Sequence, residues 1–150
     1  MDIYVMRHGQ AGMVAKRDSE RELTADGRAQ VKMMATQLAT KTAQFDYVLV
    51  SPFVRAQQTW EEASSAFSEP SRVITLNELT PDGDAKAVSA LVDEFAADSQ
   101  ILVISHLPLV GYLVQEFVPS AGAPLFATAA IAHIHLTTSQ SKLVALEHPA

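Results

Sequence analysis

The 150-residue chain is 48% hydrophobic and 19% charged, with six Gly and seven Pro, a balance that excludes disorder and fibrous repeats and predicts one domain, residues 1–150, with a sizeable core. Seventeen acidic against eleven basic residues leave a net charge of −6, so the surface repels phosphate backbones and anionic lipid and argues against a nucleic-acid binder. Cysteine is absent, which removes disulfides, thiolate nucleophiles, iron–sulfur clusters and the commonest structural zinc sites. The opening Met-Asp-Ile-Tyr-Val-Met has no basic n-region or cleavage site, Arg7 interrupts the apolar run, and no stretch reaches the roughly eighteen apolar residues of a membrane span. The expectation is a cytoplasmic protein with no membrane contact.

Ile3 to Met6 reads as a buried strand that ends in Arg7-His8-Gly9. Gln10 to Glu22 is charged and aperiodic, and reads as a solvated loop. Thr24 caps a helix whose apolar positions Val31, Met34, Ala35, Leu38 and Ala39 recur at helical spacing. A second strand, Phe45 to Val50, runs into Ser51-Pro52, which predicts an N-cap and a first-turn proline for a helix reaching about Phe67. Val73 to Leu76 gives a third strand, and Pro81-Asp82-Gly83-Asp84 a turn that caps a helix with the stripe Val88, Leu91, Val92, Phe95. Ile101 to Ile104 is the aliphatic run of a strand buried on both faces, and Ser105-His106-Leu107-Pro108 leads from it into a helix ending near Val118-Pro119. Ile131 to Leu136 and Leu143 to Leu146 are two strands joined by a polar turn. The alternation predicts a three-layer α/β/α sandwich with a mainly parallel sheet, closed by antiparallel C-terminal strands.

Ligands of such sheets bind at the carboxyl ends of the strands. Those ends carry Arg7, His8 and Gly9; Ser51 and, one helical turn on, Arg55; Asn77 and Glu78; Ser105 and His106. Arg55 points back over the same edge because helical side chains lean toward the N-terminus. Guanidinium does not ligate metals, so two imidazoles with two arginines fit a phosphoryl group better than a metal, and the expectation is no metal and no cofactor. A neutral imidazole is a competent nucleophile near pH 7 without a separate base. His133 and His135, two apart on one strand face, lack an evident third metal ligand, and Ser51 reads as structural.

Arg7-His8-Gly9 after the first strand, Ser51-Pro52-Phe53-Val54-Arg55-Ala56-Gln57-Gln58-Thr59 after the second, and Ser105-His106 after a later buried strand resemble the histidine phosphatase (phosphoglycerate-mutase-like) superfamily. Val48 to Phe53, Glu78-Leu79-Thr80-Pro81 and Val103 to Val114 resemble its SixA-type phosphohistidine phosphatases, a similarity extending over Met1 to Leu136. The resemblance implies that His8 attacks phosphorus and becomes a phosphohistidine, that Arg7, Arg55 and His106 hold the equatorial oxygens, and that Arg21 completes the phosphate pocket. It further implies that Gly9 belongs with the residues that contact the phosphate, and allows His8 its close backbone approach and fixed tautomer. Glu78 falls near the carboxyl proton donor of related mutases and acid phosphatases, an acid that the SixA group manages without. The chain has no room for the helical cap of larger relatives, so the site should be open. That suits a phosphohistidine on a histidine-containing phosphotransfer domain of a two-component relay. The alternatives are a phosphatase of small metabolites and a non-catalytic phosphohistidine-binding module.

Overall fold

The computed structural model describes Met1–Ala150. Six strands form one sheet: β1 Asp2–Arg7, β2 Tyr47–Val50, β3 Arg72–Thr75, β4 Gln100–Ser105, β5 Ile131–Leu136 and β6 Ser141–Glu147, in the order β3-β2-β4-β1-β5-β6. β3, β2, β4 and β1 are parallel, while β5 pairs antiparallel with both β1 and β6. The helices are α1 Ala25–Ala39, α2 Val54–Ser64, α3 Ala85–Val92 and α4 Leu109–Phe117.

Strand alternation divides the core between the two faces of the sheet. Ile3 and Val5 of β1, Leu49 of β2 and Ile101 and Val103 of β4 pack with Val88, Val92, Val110 and Leu113 of α3 and α4. Tyr4, Met6, Val48, Val50, Leu102 and Ile104 face the other way, onto Val31, Met34 and Leu38 of α1 and Ala56 and Ala63 of α2. Burial on both faces is why these strands read as unbroken apolar runs, and it sets the carboxyl ends of β2, β4 and β1 side by side. The three-layer α/β/α expectation holds. No helix is long and apolar enough to cross a membrane.

Two caps are formed as expected: Thr24 accepts from Gly27 N, and Asp84 from Lys86 N and Ala87 N. Ser51 does not cap α2. The helix begins at Val54 and ends at Ser64, short of Phe67, and its N-cap residue Phe53 is extended, with no side-chain cap. Ser51 Oγ is held elsewhere, accepting from Phe53 N at 3.2 Å and bonding a histidine ring at 2.7 Å. α3 stops at Val92, and Phe95 of its expected stripe lies beyond it, stacked on Tyr47 with ring centroids 3.9 Å apart.

At the amino end of β1 the two late histidines find a partner. His133 Nε2 and His135 Nδ1 donate to Asp2 Oδ1 at 2.8 and 2.9 Å, and Gln100 Nε2 donates to Asp2 Oδ2 at 2.8 Å. Burial raises the Asp2 carboxyl, but the hydrogen bonds from His133, Gln100 and His135 outweigh it and bring the pKa to about 2.

Candidate active site

At the opposite end of β1 the backbone delivers Arg7 and His8 to the sheet edge, and His8 N donates to Ser105 O of β4 at 2.9 Å. His8 and His106 are both buried, with ring centroids 5.0 Å apart. Arg55, the second residue of α2, is 5% exposed, and its Nε lies 3.3 Å from His8 Nε2. Four sequence-predicted residues, Arg7, His8, Arg55 and His106, thus meet at one edge, brought there by β1, α2 and the turn after β4.

The hydrogen-bond network assigns both tautomers. His8 Nδ1 lies 2.7 Å from Gly9 O, an acceptor only, so Nδ1 carries the proton and Nε2 keeps the lone pair that faces Arg55 Nε. Ser51 is fully buried and its Oγ meets only Phe53 N–H and the His106 ring, so the hydroxyl proton goes to His106 Nε2, the one acceptor in reach, and the His106 proton sits on Nδ1. His106 Nδ1 and Arg7 Nε are the two buried side-chain polar atoms of the protein with no hydrogen-bond partner. Both are donors, and both belong to this cluster.

Burial pushes the His8 imidazole down to about 4; the Gly9 carbonyl opposes this, and the guanidiniums of Arg55, Arg7 and Arg21 add to it. Burial, then His8 and Arg55, lowers His106 to about 3. Both rings are therefore neutral at pH 7, which leaves His8 Nε2 nucleophilic.

Gly9 acts through its backbone and its lack of a side chain. A Cβ there would stand 2.7 Å from Val31 Cγ2, and its N–H donates to Thr59 Oγ1 at 3.0 Å. That N–H is engaged, so Gly9 contributes close packing and the tautomer-fixing carbonyl in place of the expected direct anion contact. Arg21 is engaged with its own loop: Nε donates to Gly12 O at 2.7 Å, and Nη1 pairs with Asp18 Oδ1 at 3.0 Å. Glu78 is exposed and lines a separate cleft with Leu76, Ala87, Val88 and Leu91, apart from the imidazoles.

Two participants escape a reading of the sequence. Asp18 joins the arginines: its carbonyl accepts from Arg55 Nη1 at 2.7 Å, its Oδ2 from Arg55 Nη2 at 3.1 Å, and its Oδ1 from Arg21. The hydrogen bond from Arg21 holds the carboxyl below its ordinary range against desolvation, with Arg55 adding to the effect. The i,i+3 spacing of Asp18 and Arg21 is the one local signal for this pairing. Ser51, taken as a helix cap, instead orients His106. The four surface clefts of the molecule lie elsewhere; none is lined by His8, His106 or the three arginines.

Residues 3–80 match the family model of the histidine phosphatase superfamily, branch 1. Phosphohistidine phosphatase SixA of Escherichia coli strain K12 is 45% identical over 141 residues, spanning 93% of this chain and 88% of that protein. A homolog of it from Haemophilus influenzae is 32% identical, over 96% and 93% of the two chains. Among solved structures, the protein histidine phosphatase SixA complexed with tungstate superposes with a TM-score of 0.94 at 42% identity, covering 99% of this chain and 97% of that one.

Proposed function

The chain belongs to the histidine phosphatase superfamily, and we propose that it is a phosphohistidine phosphatase acting on a protein, with residues 1–150 as one catalytic domain. The observation that carries this reading is the neutral His8 ring, its proton held on Nδ1 by Gly9 O and its Nε2 accepting from Arg55 Nε at 3.3 Å. The 45% identity to a phosphohistidine phosphatase supports the choice of reaction. Tungstate is a tetrahedral oxyanion, and its complex with a 42% identical relative supports an anion at this edge.

His8 Nε2 attacks phosphorus in line, forming a P–N bond to the enzyme as the P–N bond of the substrate breaks. Arg7, Arg55 and His106 hold the equatorial oxygens as charge redistributes, donors fixed before the reaction begins. The leaving group is an imidazole; protonated on its far nitrogen in the substrate, it departs neutral. No carboxylic acid is required, and Glu78 has no part in this step. Water then cleaves the His8–phosphoryl bond and releases inorganic phosphate. Arg21 acts at one remove, through Asp18 and through its charge.

His8 lines none of the molecule's four clefts, which supports a phosphorylated side chain on a folded partner, a histidine-containing phosphotransfer domain of a two-component relay, over a metabolite that must be enclosed. A chain without cysteine fits the reducing cytoplasm as the place of work. The test compares substrates at equal enzyme concentration: a phosphorylated phosphotransfer domain, an acyl phosphate and sugar phosphates. Phosphohistidine protein should turn over far faster than the rest. Preference for a sugar phosphate would overturn the substrate assignment.

A further inference from the structure

The most exposed large apolar side chains of the molecule are Val14 at 98%, Leu125 at 82% and Met13 at 81%; the next, Tyr112, reaches 51%. Single exposed apolar residues are ordinary on a protein surface. These three are not scattered. They stand on two loops, each tied by a backbone carbonyl to an arginine of the cluster: Gly12 O accepts from Arg21 Nε at 2.7 Å, and Phe126 O from Arg7 Nη1 at 2.9 Å. Met13 follows the first anchor, its Sδ 3.5 Å from Arg21 Nη2, and Leu125 precedes the second.

Both loops are held in place from below. Gly12 N donates to Glu22 O at 2.8 Å, and Ala11 bridges Leu23, so the chain is pinned just before Met13 and Val14. On the other side Phe126 is 3% exposed, and the Pro124 carbonyl sits so close over Gly111 that a Cβ there would meet it at 2.8 Å. Leu125 is thereby propped outward between two packed neighbours. A folded partner whose phosphoryl group enters the cationic centre brings its own surface up to both loops.

We infer that Met13, Val14 and Leu125 form an apolar docking rim around the phosphoryl pocket. Its occupant is a folded protein that carries apolar side chains beside a phosphorylated imidazole. This deepens, and rests on, the phosphohistidine phosphatase reading. Charge complementarity selects that occupant: the arginines demand an anion at the centre, and the flanking loops demand apolar surface around it.

The test is the double variant Val14→Ser/Leu125→Ser, assayed on a phosphorylated histidine-containing phosphotransfer domain and on free phosphohistidine. Neither residue contacts the reacting groups. Lost burial of two apolar side chains should lower kcat/KM toward the protein about tenfold or more, with free phosphohistidine changed by less than about twofold. Equal losses on both substrates, or no loss on the protein, would overturn the rim. Wild-type chain that hydrolyses free phosphohistidine but not the domain also overturns it, while wild-type chain inert to both removes the phosphatase reading itself. Should the double variant fold poorly by circular dichroism, Leu125→Lys alone carries the same comparison.

Discussion

β1 ends in two histidine arrangements of opposite character. At its amino end His133 and His135 share the Asp2 carboxylate, and every donor has an acceptor. At its carboxyl end His8 and His106 are buried beside Arg7 and Arg55, with two donors unpaired and both rings held neutral. Imidazoles beside a carboxylate form a closed, satisfied clamp. Imidazoles among guanidiniums leave buried donors unpartnered, a cost in stability that marks a candidate functional site.

The comparison breaks most visibly at Arg55. Arg55→Ala removes the donor that faces the nucleophile and should lower kcat/KM by about 10²–10³. In the same steady-state series, Asp18→Asn leaves Arg55 in place and loses the charged tether of Arg55 and Arg21, and should lower kcat about tenfold while KM is unchanged or falls, because a competing negative charge has gone. Rescue by Asp18→Glu separates this positioning role from a purely structural one. An Arg55→Ala enzyme with wild-type rate would place the phosphoryl group elsewhere.

The amino end should respond in stability and not in rate. Asp2→Ala strips the acceptor from His133, His135 and Gln100 and should cost about 1–2 kcal/mol by denaturant unfolding, with kcat unchanged. Since folding holds the Asp2 carboxyl at about 2 against an ordinary 3.8, it favours the folded state above about pH 4, and the gap between wild type and variant should close as pH falls through about 2. The histidines of the carboxyl end have a different pH window. Their folded pKa values, about 4 and about 3, lie below the ordinary 6.5, so the unfolded chain takes up protons first, and their contribution weakens stability as pH drops below about 6.5.

What was legible in the sequence follows from what each feature depends on. Arg7, His8, Ser105 and His106 stand at the ends of unbroken apolar runs, and Arg55 one turn into a helix, so local pattern and the geometry of parallel sheets suffice for them. Ser51 looks like a cap because Ser-Pro before a helix usually is one; its partner, His106, is 55 residues away. Asp18 lies in a charged loop without periodicity, and its hold on Arg55 spans 37 residues. The Asp2 clamp needs the antiparallel pairing of β5 on β1, a tertiary fact no local window contains.

The central claim is that His8 Nε2 carries the phosphoryl group. It is tested most directly by mixing the enzyme with a radiolabelled phosphorylated phosphotransfer domain, quenching rapidly in alkali, and mapping the label by peptide. The label should appear on His8 in the wild-type chain, and be absent, together with turnover, in His8→Ala. Label on His106, or sustained turnover by His8→Ala, would contradict the account.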